Sequence, residues 1–301
     1  MLAFLRLIRF PNLLIIALTQ YLIRYCIIMP ILGEQHLFSD TIFMYLVLAT
    51  VLVAAGGYTI NDYFDTKVDA INRSEKMVVG RKIKRRQAQL LHLLFTITSI
   101  AISFYVGYKL NLIPWAFMTV GAAILLWFYT VNYKKKYLVG NLVISLLTTA
   151  LVVTLGLCEI IPALSSSLSA EAAYGLKILL VYAGFSFLLT LIREIIKDVE
   201  DRKGDASQQY TTLAIVLGVN KSKKVIISLS LITGVLIFSS AIIAFGDQYL
   251  KLAIVMIAVL LPLLYLIYKV TNARATSSFS KVSLITKIIM LTGLLSMLLI
   301  Y

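Results

Sequence analysis

Nine stretches of about twenty mostly apolar residues divide this chain, at roughly 10–32, 41–61, 88–108, 112–132, 138–161, 174–197, 223–245, 249–268 and 282–300. A helix of that length crosses the hydrocarbon core of a bilayer. Composition agrees: 60% of the 301 residues come from the set AVILMFWYC and only 14% are charged, where a soluble domain carries about 45–50% and about 25%. Too little polar surface remains to cover a soluble core, and the same figures exclude disorder. The chain is therefore expected to be all-α, a single integral-membrane domain over 1–301 with nine transmembrane helices around a central cavity. Arg6 and Arg9 precede the first run and no small-residue cleavage site follows it. That pattern predicts a retained first helix rather than a cleaved signal peptide.

The net charge of +14 would suggest nucleic acid in a soluble protein. Here membrane topology explains it better, and no nucleic-acid partner is expected. Of the 28 Lys and Arg residues, 24 fall at the N-terminus or in the even-numbered connections. By the positive-inside rule those segments are cytoplasmic, and nine spans then put Tyr301 on the opposite side. Cys26 and Cys158 lie inside apolar runs, so no disulfide framework is expected. His36 and His92 are too scattered for a zinc site.

The acidic residues are more informative. Nine of the 14 fall in two clusters, Asp62, Asp65, Asp69 and Glu75, then Glu194, Asp198, Glu200, Asp201 and Asp205. Each cluster follows an even-numbered span, so both are placed at the cytoplasmic membrane face. Their spacing, four spans apart, hints at two similar four-helix units with a ninth helix added. If the second helix continues through the first cluster, Asp62, Asp65 and Asp69 sit at i, i+3 and i+7 on one face. Asp198, Asp201 and Asp205 repeat that spacing, with Glu194 one turn earlier.

Carboxylates crowded on one face repel unless a cation lies among them. Hard oxygen donors without His or Cys suit Mg²⁺ or Mn²⁺. Mg²⁺ keeps waters and commonly binds one or two carboxylates together with substrate phosphates. Two such clusters could hold ions that bridge a diphosphate and stabilise its departure. A single acidic run at a helix end is usually a solvated cap; two with matched spacing on one face of an acid-poor chain are not so easily dismissed.

These residues resemble the UbiA superfamily of intramembrane prenyltransferases. Asn61-Asp62-Tyr63-Phe64-Asp65-Thr66-Lys67-Val68-Asp69 fits that family's NDxxDxxxD motif in full. Tyr129 to Lys134 resembles its YxxxxK segment, followed by Gly140-Asn141, and Arg9-Phe10-Pro11-Asn12 resembles its RxxN-type start. Where many members carry Arg-Pro after the first motif, this chain has Lys76-Met77. Arg193-Glu194-Ile195-Ile196-Lys197-Asp198-Val199-Glu200-Asp201, then Gly204-Asp205, resembles the pattern of members that move a geranylgeranyl group onto a glycerol phosphate lipid. Similar strings occur in members that prenylate quinone precursors.

The resemblance implies a Mg²⁺-dependent transferase. It would move an isoprenyl group from a polyprenyl diphosphate to a lipophilic acceptor, a geranylgeranylglyceryl-phosphate-type lipid first and an aromatic quinone precursor second. It places catalytic metal binding on Asp62, Asp65, Asp198 and Asp201, with Asp69 and Asp205 completing the metal shell. Substrate contacts fall to Asn61, Lys76, Lys134, Lys197, Arg193, Asn12 and Tyr129. Arg9 and Arg193 are weaker candidates for the diphosphate, because a basic residue at a span end is more often an orientation anchor. Asn12 and Gln20 share a face of the first span, and serve either helix–helix bonding or substrate contact. Gly56-Gly57 is expected at a close helix crossing. The basic run Arg81 to Arg86 is expected to be drawn to anionic lipid, and 162–172 to form an external loop. Two rivals remain: a cation-coupled transporter, whose acids more often lie at the midplane, and a terpene cyclase or phosphatase using the same metals.

Overall fold

The computed structural model describes residues 1–33, 37–273 and 276–300. Among the sequence expectations, His36, Arg274, Tyr301 and the side chain of Lys76 lie outside the described residues. The described chain is helical: α1 (Leu2–Leu7), α2 (Phe10–Leu32), α3 (Asp40–Phe64), α4 (Thr66–Asn72), α5 (Arg85–Lys109), α6 (Ile113–Val131), α7 (Val139–Ala163), α8 (Ser169–Ser207), α9 (Leu213–Val216), α10 (Gly218–Phe245), α11 (Tyr249–Asn272) and α12 (Ser278–Leu299). Nine of these, α2, α3, α5 to α8 and α10 to α12, are long and apolar enough to cross a membrane, among the described residues.

Several boundaries differ from the sequence expectation. Helix α8 was expected to end near 197, where hydropathy falls, but it runs 39 residues to Ser207 and carries the whole second acidic cluster. The first cluster does the reverse. Helix α3 stops at Phe64, Asp65 takes φ −80° and ψ 1°, and α4 restarts at Thr66. Two backbone bonds, from Asp65 N–H to Asn61 O and from Asp69 N–H to Asp65 O, carry the chain through the break. The expected external loop at 162–172 shrinks to the few residues between Ala163 and Ser169.

Local sequence explains where the helices begin and end. The Ser39 hydroxyl accepts the Ile42 N–H as an N-cap on α3. At the start of α5 the Gln87 side-chain oxygen accepts the Lys84 N–H at 3.0 Å. The hairpin between α5 and α6 turns on Asn111 at φ 54°, a residue type that tolerates the left-handed region.

Contacts divide the chain into two units. The first comprises Met1–Gln20, Leu37–Lys135 and Lys203–Gln209. Here α3 packs along α5 and α6. A Cβ on Gly56 would lie 2.8 Å from Thr96 Oγ1, and one on Gly57 3.0 Å from Leu126 Cδ1, so the glycine pair is a close crossing as expected. Polar side chains stitch these spans together. Ser99 Oγ donates to Ala49 O at 2.6 Å, Ser103 Oγ to Thr119 Oγ1 at 3.0 Å, and Thr50 Oγ1 to Gln20 Oε1 at 3.2 Å. Gln20 thus takes the helix–helix role. Such bonds matter in lipid, where water cannot satisfy a buried hydroxyl.

The second unit comprises Tyr21–His36, Lys136–Arg202 and Tyr210–Tyr301. Its core gathers Ile192, Ile195 and Ile196 from α8 with Ile226, Leu263, Leu266, Val282 and Ile289. Thr148 bonds Thr190 at 3.1 Å and Thr292 bonds Ala258 O at 2.7 Å. It also buries Arg24 and Glu159, opposite charges on segments of α2 and α7 that pack together. Isolated charges at such depth are costly.

Candidate functional site

The first unit builds a charged cluster at the C-terminal end of α3. The apolar span delivers Asn61 and Asp62 in its last turn, and Asp65 is held at the break before α4. Asn61 Nδ2 donates to Asp65 Oδ2 at 2.7 Å. Lys134 Nζ, from the turn after α6, donates to Asp65 Oδ1 and lies 3.5 Å from Asn61 Oδ1. The side chains of Lys134 and Asp65 are only 10% and 17% exposed, so the pair is largely removed from water.

Asp62 is held from the other side. Arg9 Nη2 donates to Asp62 Oδ1 at 2.9 Å, and the guanidinium lies 4.9 Å from the centre of the Tyr58 ring. Arg9 reaches there because the chain breaks between α1 and α2, at φ 49° for Arg9 itself. That region costs a non-glycine residue about 1 kcal/mol or more and persists where surrounding structure fixes it. Burial works against the Arg9 charge, but the Asp62 carboxylate and the Tyr58 phenol oxygen outweigh it, and the pKa is raised above the ordinary arginine value. Arg9, read from sequence as either anchor or ligand, is therefore a member of the cluster. Next to Asp62, Tyr63 packs against Phe64 and beneath the Arg85 guanidinium at 4.6 Å.

Asp69, on α4, is half-buried. Asn72, three residues on, accepts the Gly204 N–H on Oδ1 at 2.9 Å. Lys203–Gln209 belongs to this unit, so the buried Asp205, next to Gly204, lies in the same unit as the first motif. The Asn72–Gly204 bond was not foreseen. Its one sequence signal is a glycine inside a helix, which α8 would otherwise disfavour.

The second unit holds its own polar set on α8. Glu194, 7% exposed, accepts from Arg193 Nη1 at 2.8 Å and from Lys197 Nζ at 2.9 Å. Asp198 Oδ2 accepts from Asn141 Nδ2 at 2.9 Å. Leu138, at φ 57°, opens α7 so that Asn141 falls in its first turn. Asn141 matched a motif in sequence but was not among the expected ligands. Asp201 is half-buried one turn beyond Asp198. Of the remaining expected residues, Asn12 gives its backbone N–H to Arg9 O at 2.8 Å, and Tyr129 is half-buried near the end of α6.

Among the described residues no three His, Cys, Asp or Glu side chains converge as a ready-made metal cage. The donors still fit a hard divalent ion. They are carboxylate and amide oxygens without sulfur or imidazole, and Mg²⁺ binds through one or two carboxylates while phosphate and water fill its octahedron. The interleaved Arg9 and Lys134 suit an anionic ligand.

Comparison with known proteins fixes the class. Residues 25–288 match the UbiA prenyltransferase family, and the chain belongs to that family. It is an integral, multi-pass membrane enzyme that transfers prenyl groups. It is 33% identical over 255 residues to the digeranylgeranylglyceryl phosphate synthase of Saccharolobus solfataricus, covering 84% of this chain and 82% of the relative. It is 32% identical over 235 residues to the synthase of the same name from Methanothermobacter thermautotrophicus, covering 77% and 76%. A solved structure of digeranylgeranylglyceryl phosphate synthase aligns with a TM-score of 0.64 at 23% identity, over 99% of this chain and 96% of that one. A UbiA homologue from Archaeoglobus fulgidus, solved with DMAPP and Mg²⁺, aligns with a TM-score of 0.60 at 18% identity, over 98% of each chain. These two likenesses establish the fold.

Proposed function

We propose that this enzyme moves a prenyl group from an isoprenyl diphosphate to a geranylgeranylglyceryl-phosphate-type lipid, with release of diphosphate. The observation that carries the reading is the pairing of two first-motif carboxylates with cations, Arg9 on Asp62 and Lys134, with the Asn61 amide, on Asp65. Oxygen donors for a metal and cationic donors for phosphate are thereby interleaved at one helix end. Mg²⁺ is assigned to Asp62, Asp65, Asp198 and Asp201, supported by Asp69 and Asp205. Bound there, it would neutralise the charge that develops on the departing diphosphate.

The remaining roles follow from side-chain chemistry. Arg9 offers a planar fork and Lys134 a compact point charge to phosphate oxygens. Lys197 and Arg193, both resting on Glu194, extend the cationic set, as does Lys76. Asn12 and Tyr129 are assigned to substrate contact. In the reaction the C1–O bond of the allylic diphosphate breaks and its electron pair leaves with the diphosphate. A hydroxyl oxygen of the acceptor then bonds C1 and loses its proton. Apolar spans keep water from C1, which would otherwise divert the cation-like centre to an alcohol.

The names carried by the Saccharolobus and Methanothermobacter relatives support the acceptor, and the Archaeoglobus homologue solved with DMAPP and Mg²⁺ supports the donor and the metal. The basic connections support a cytoplasmic N-terminus and cytoplasmic motifs, with the C-terminus opposite. The test is prenyl transfer by purified protein in lipid, from radiolabelled geranylgeranyl diphosphate with Mg²⁺. Geranylgeranylglyceryl phosphate and a panel of aromatic acids are offered as acceptors. A product formed only with the glycerol phosphate lipid, and lost in folded Asp62→Ala and Asp198→Ala, is expected. Transfer to the aromatic acids alone would overturn the acceptor, and no diphosphate release with any acceptor would overturn the reaction.

A further inference from the structure

The segment between α4 and α5 carries a second charged feature that the transfer reaction does not use. Arg81, Lys82, Lys84, Arg85 and Arg86 fall within six residues, and the sequence holds no Asp or Glu from residue 76 to residue 158. All five are exposed. Cations in the first turn of a helix also meet the positive end of its dipole, so α5 does not account for them.

The segment is anchored. Val78 and Val79 are buried with Leu7 and Ala88. Gly80 at φ 85° turns the chain, its N–H bonds Ile83 O at 2.8 Å, and Lys82 and Ile83 both donate to Val78 O. The turn thus holds Arg81 and Lys82 outward and returns Ile83 towards the helix. Immediately beyond it, Ile83, Gln87, Leu90, Leu91 and Leu94 line an open groove of about 570 Å³. From Arg86 to Leu94 the helix rises roughly 12 Å, into the apolar part of a membrane span. A cationic turn with a fixed backbone and an apolar trough therefore follow one another along the chain.

We infer that this groove is a binding site for an anionic membrane phospholipid. Its headgroup phosphate rests among Arg81, Lys82 and Arg86, and one hydrocarbon chain lies along Ile83, Leu90, Leu91 and Leu94. The charge of the site selects an anionic over a zwitterionic headgroup, and the trough distinguishes a bound lipid from a diffuse surface attraction. Arg85 is excluded from the set because it stacks on Tyr63.

The test is lipid binding to the detergent-purified full chain, read by native mass spectrometry. Phosphatidylglycerol is titrated against phosphatidylcholine of the same chains. Each cation near a headgroup contributes roughly fivefold in affinity. The triple variant Arg81→Gln, Lys82→Gln, Arg86→Gln is expected to weaken phosphatidylglycerol about 100-fold and phosphatidylcholine little. Leu90→Trp, which fills the trough and keeps every charge, is expected to weaken phosphatidylglycerol too. Should the triple variant fail to fold, Lys82→Gln at its exposed position is expected to cost about fivefold. Equal binding of the two lipids by the unmodified protein would overturn the site. So would unchanged binding in the charge variants, or unchanged binding in Leu90→Trp.

Discussion

Gly204→Ala offers a sharp test of how the second motif is held. A Cβ built on Gly204 would lie 2.4 Å from Asn72 Nδ2, 2.8 Å from Cγ and 2.9 Å from Oδ1. A methyl carbon does not come within 3.0 Å of a non-bonded heavy atom, so Asn72 must swing away and give up the bond it accepts from the Gly204 N–H. Forcing a methyl into a packed contact costs about 1–3 kcal/mol, and the lost bond adds roughly 1 kcal/mol. Alanine returns about 1 kcal/mol of helix propensity. The balance is about 1–3 kcal/mol, or roughly five- to 150-fold if it appears wholly as misplacement of the neighbouring Asp205 and Asp69. The assay is a double-mutant cycle on the Mg²⁺-dependent transfer rate, with thermal unfolding followed in parallel. With Asn72 cut to Ala the obstacle is gone, and Gly204→Ala is then expected to cost less than about twofold. An equal loss in both backgrounds would refute the contact as the cause.

Four further outcomes follow from the same geometry. Lys134→Met leaves the largely buried Asp65 carboxylate without its cation and is expected to cost about 2–3 kcal/mol, read as a roughly 30- to 150-fold fall in kcat/KM. Asn141→Ala removes the amide that orients Asp198. A hydrogen bond to a charged group is worth about 1.5–3 kcal/mol, so the Mg²⁺ concentration for half-maximal rate is expected to rise, while circular dichroism stays unchanged. Gly156→Ala places a Cβ 1.9 Å from Leu179 Cδ2, away from either acidic cluster. It is expected to lower the thermal midpoint through about 1–3 kcal/mol of overpacking and to leave the metal requirement alone. EDTA treatment is expected to abolish transfer, and added Mg²⁺ to restore it, followed by release of labelled diphosphate.

The nine spans were legible because the bilayer imposes one simple demand, a long apolar run, on each of them. Their ends were not, because at the membrane surface that demand lapses. Helix α8 continues ten residues past its apolar run on a polar sequence whose acids still keep helical spacing. Helix α3, with the same spacing, breaks at Asp65. The candidate carboxylates were legible as types and spacings, but their partners were not. Arg9 and Asp62 lie 53 residues apart, Lys134 and Asp65 lie 69 apart, and Asn72 and Gly204 lie 132 apart. No periodicity reports such pairings. Lys134 and Arg9 look like any basic residue at a span end until the fold brings a carboxylate to each.

Those pairings also explain how so acid-poor a chain tolerates its acids where they are. Two carboxylates three residues apart at the end of an apolar span repel each other and lose water together. The first unit answers with Arg9 and Lys134, drawn from the segments before α2 and after α6, and with the Asn61 amide on Asp65. The second answers locally, with Arg193 and Lys197 on Glu194 and the Asn141 amide on Asp198. In the second, one carboxylate is matched by cations and another is oriented by an amide; in the first, each carboxylate has a cation and Asp65 takes an amide as well. Removing a cation therefore has two consequences at once, a lost phosphate donor and a buried carboxylate whose charge is uncompensated. Removing an amide has neither consequence and leaves a misaimed oxygen instead. Lys134→Met and Asn141→Ala separate the two: the first should depress kcat/KM at every metal concentration, and the second should be largely rescued by raising Mg²⁺.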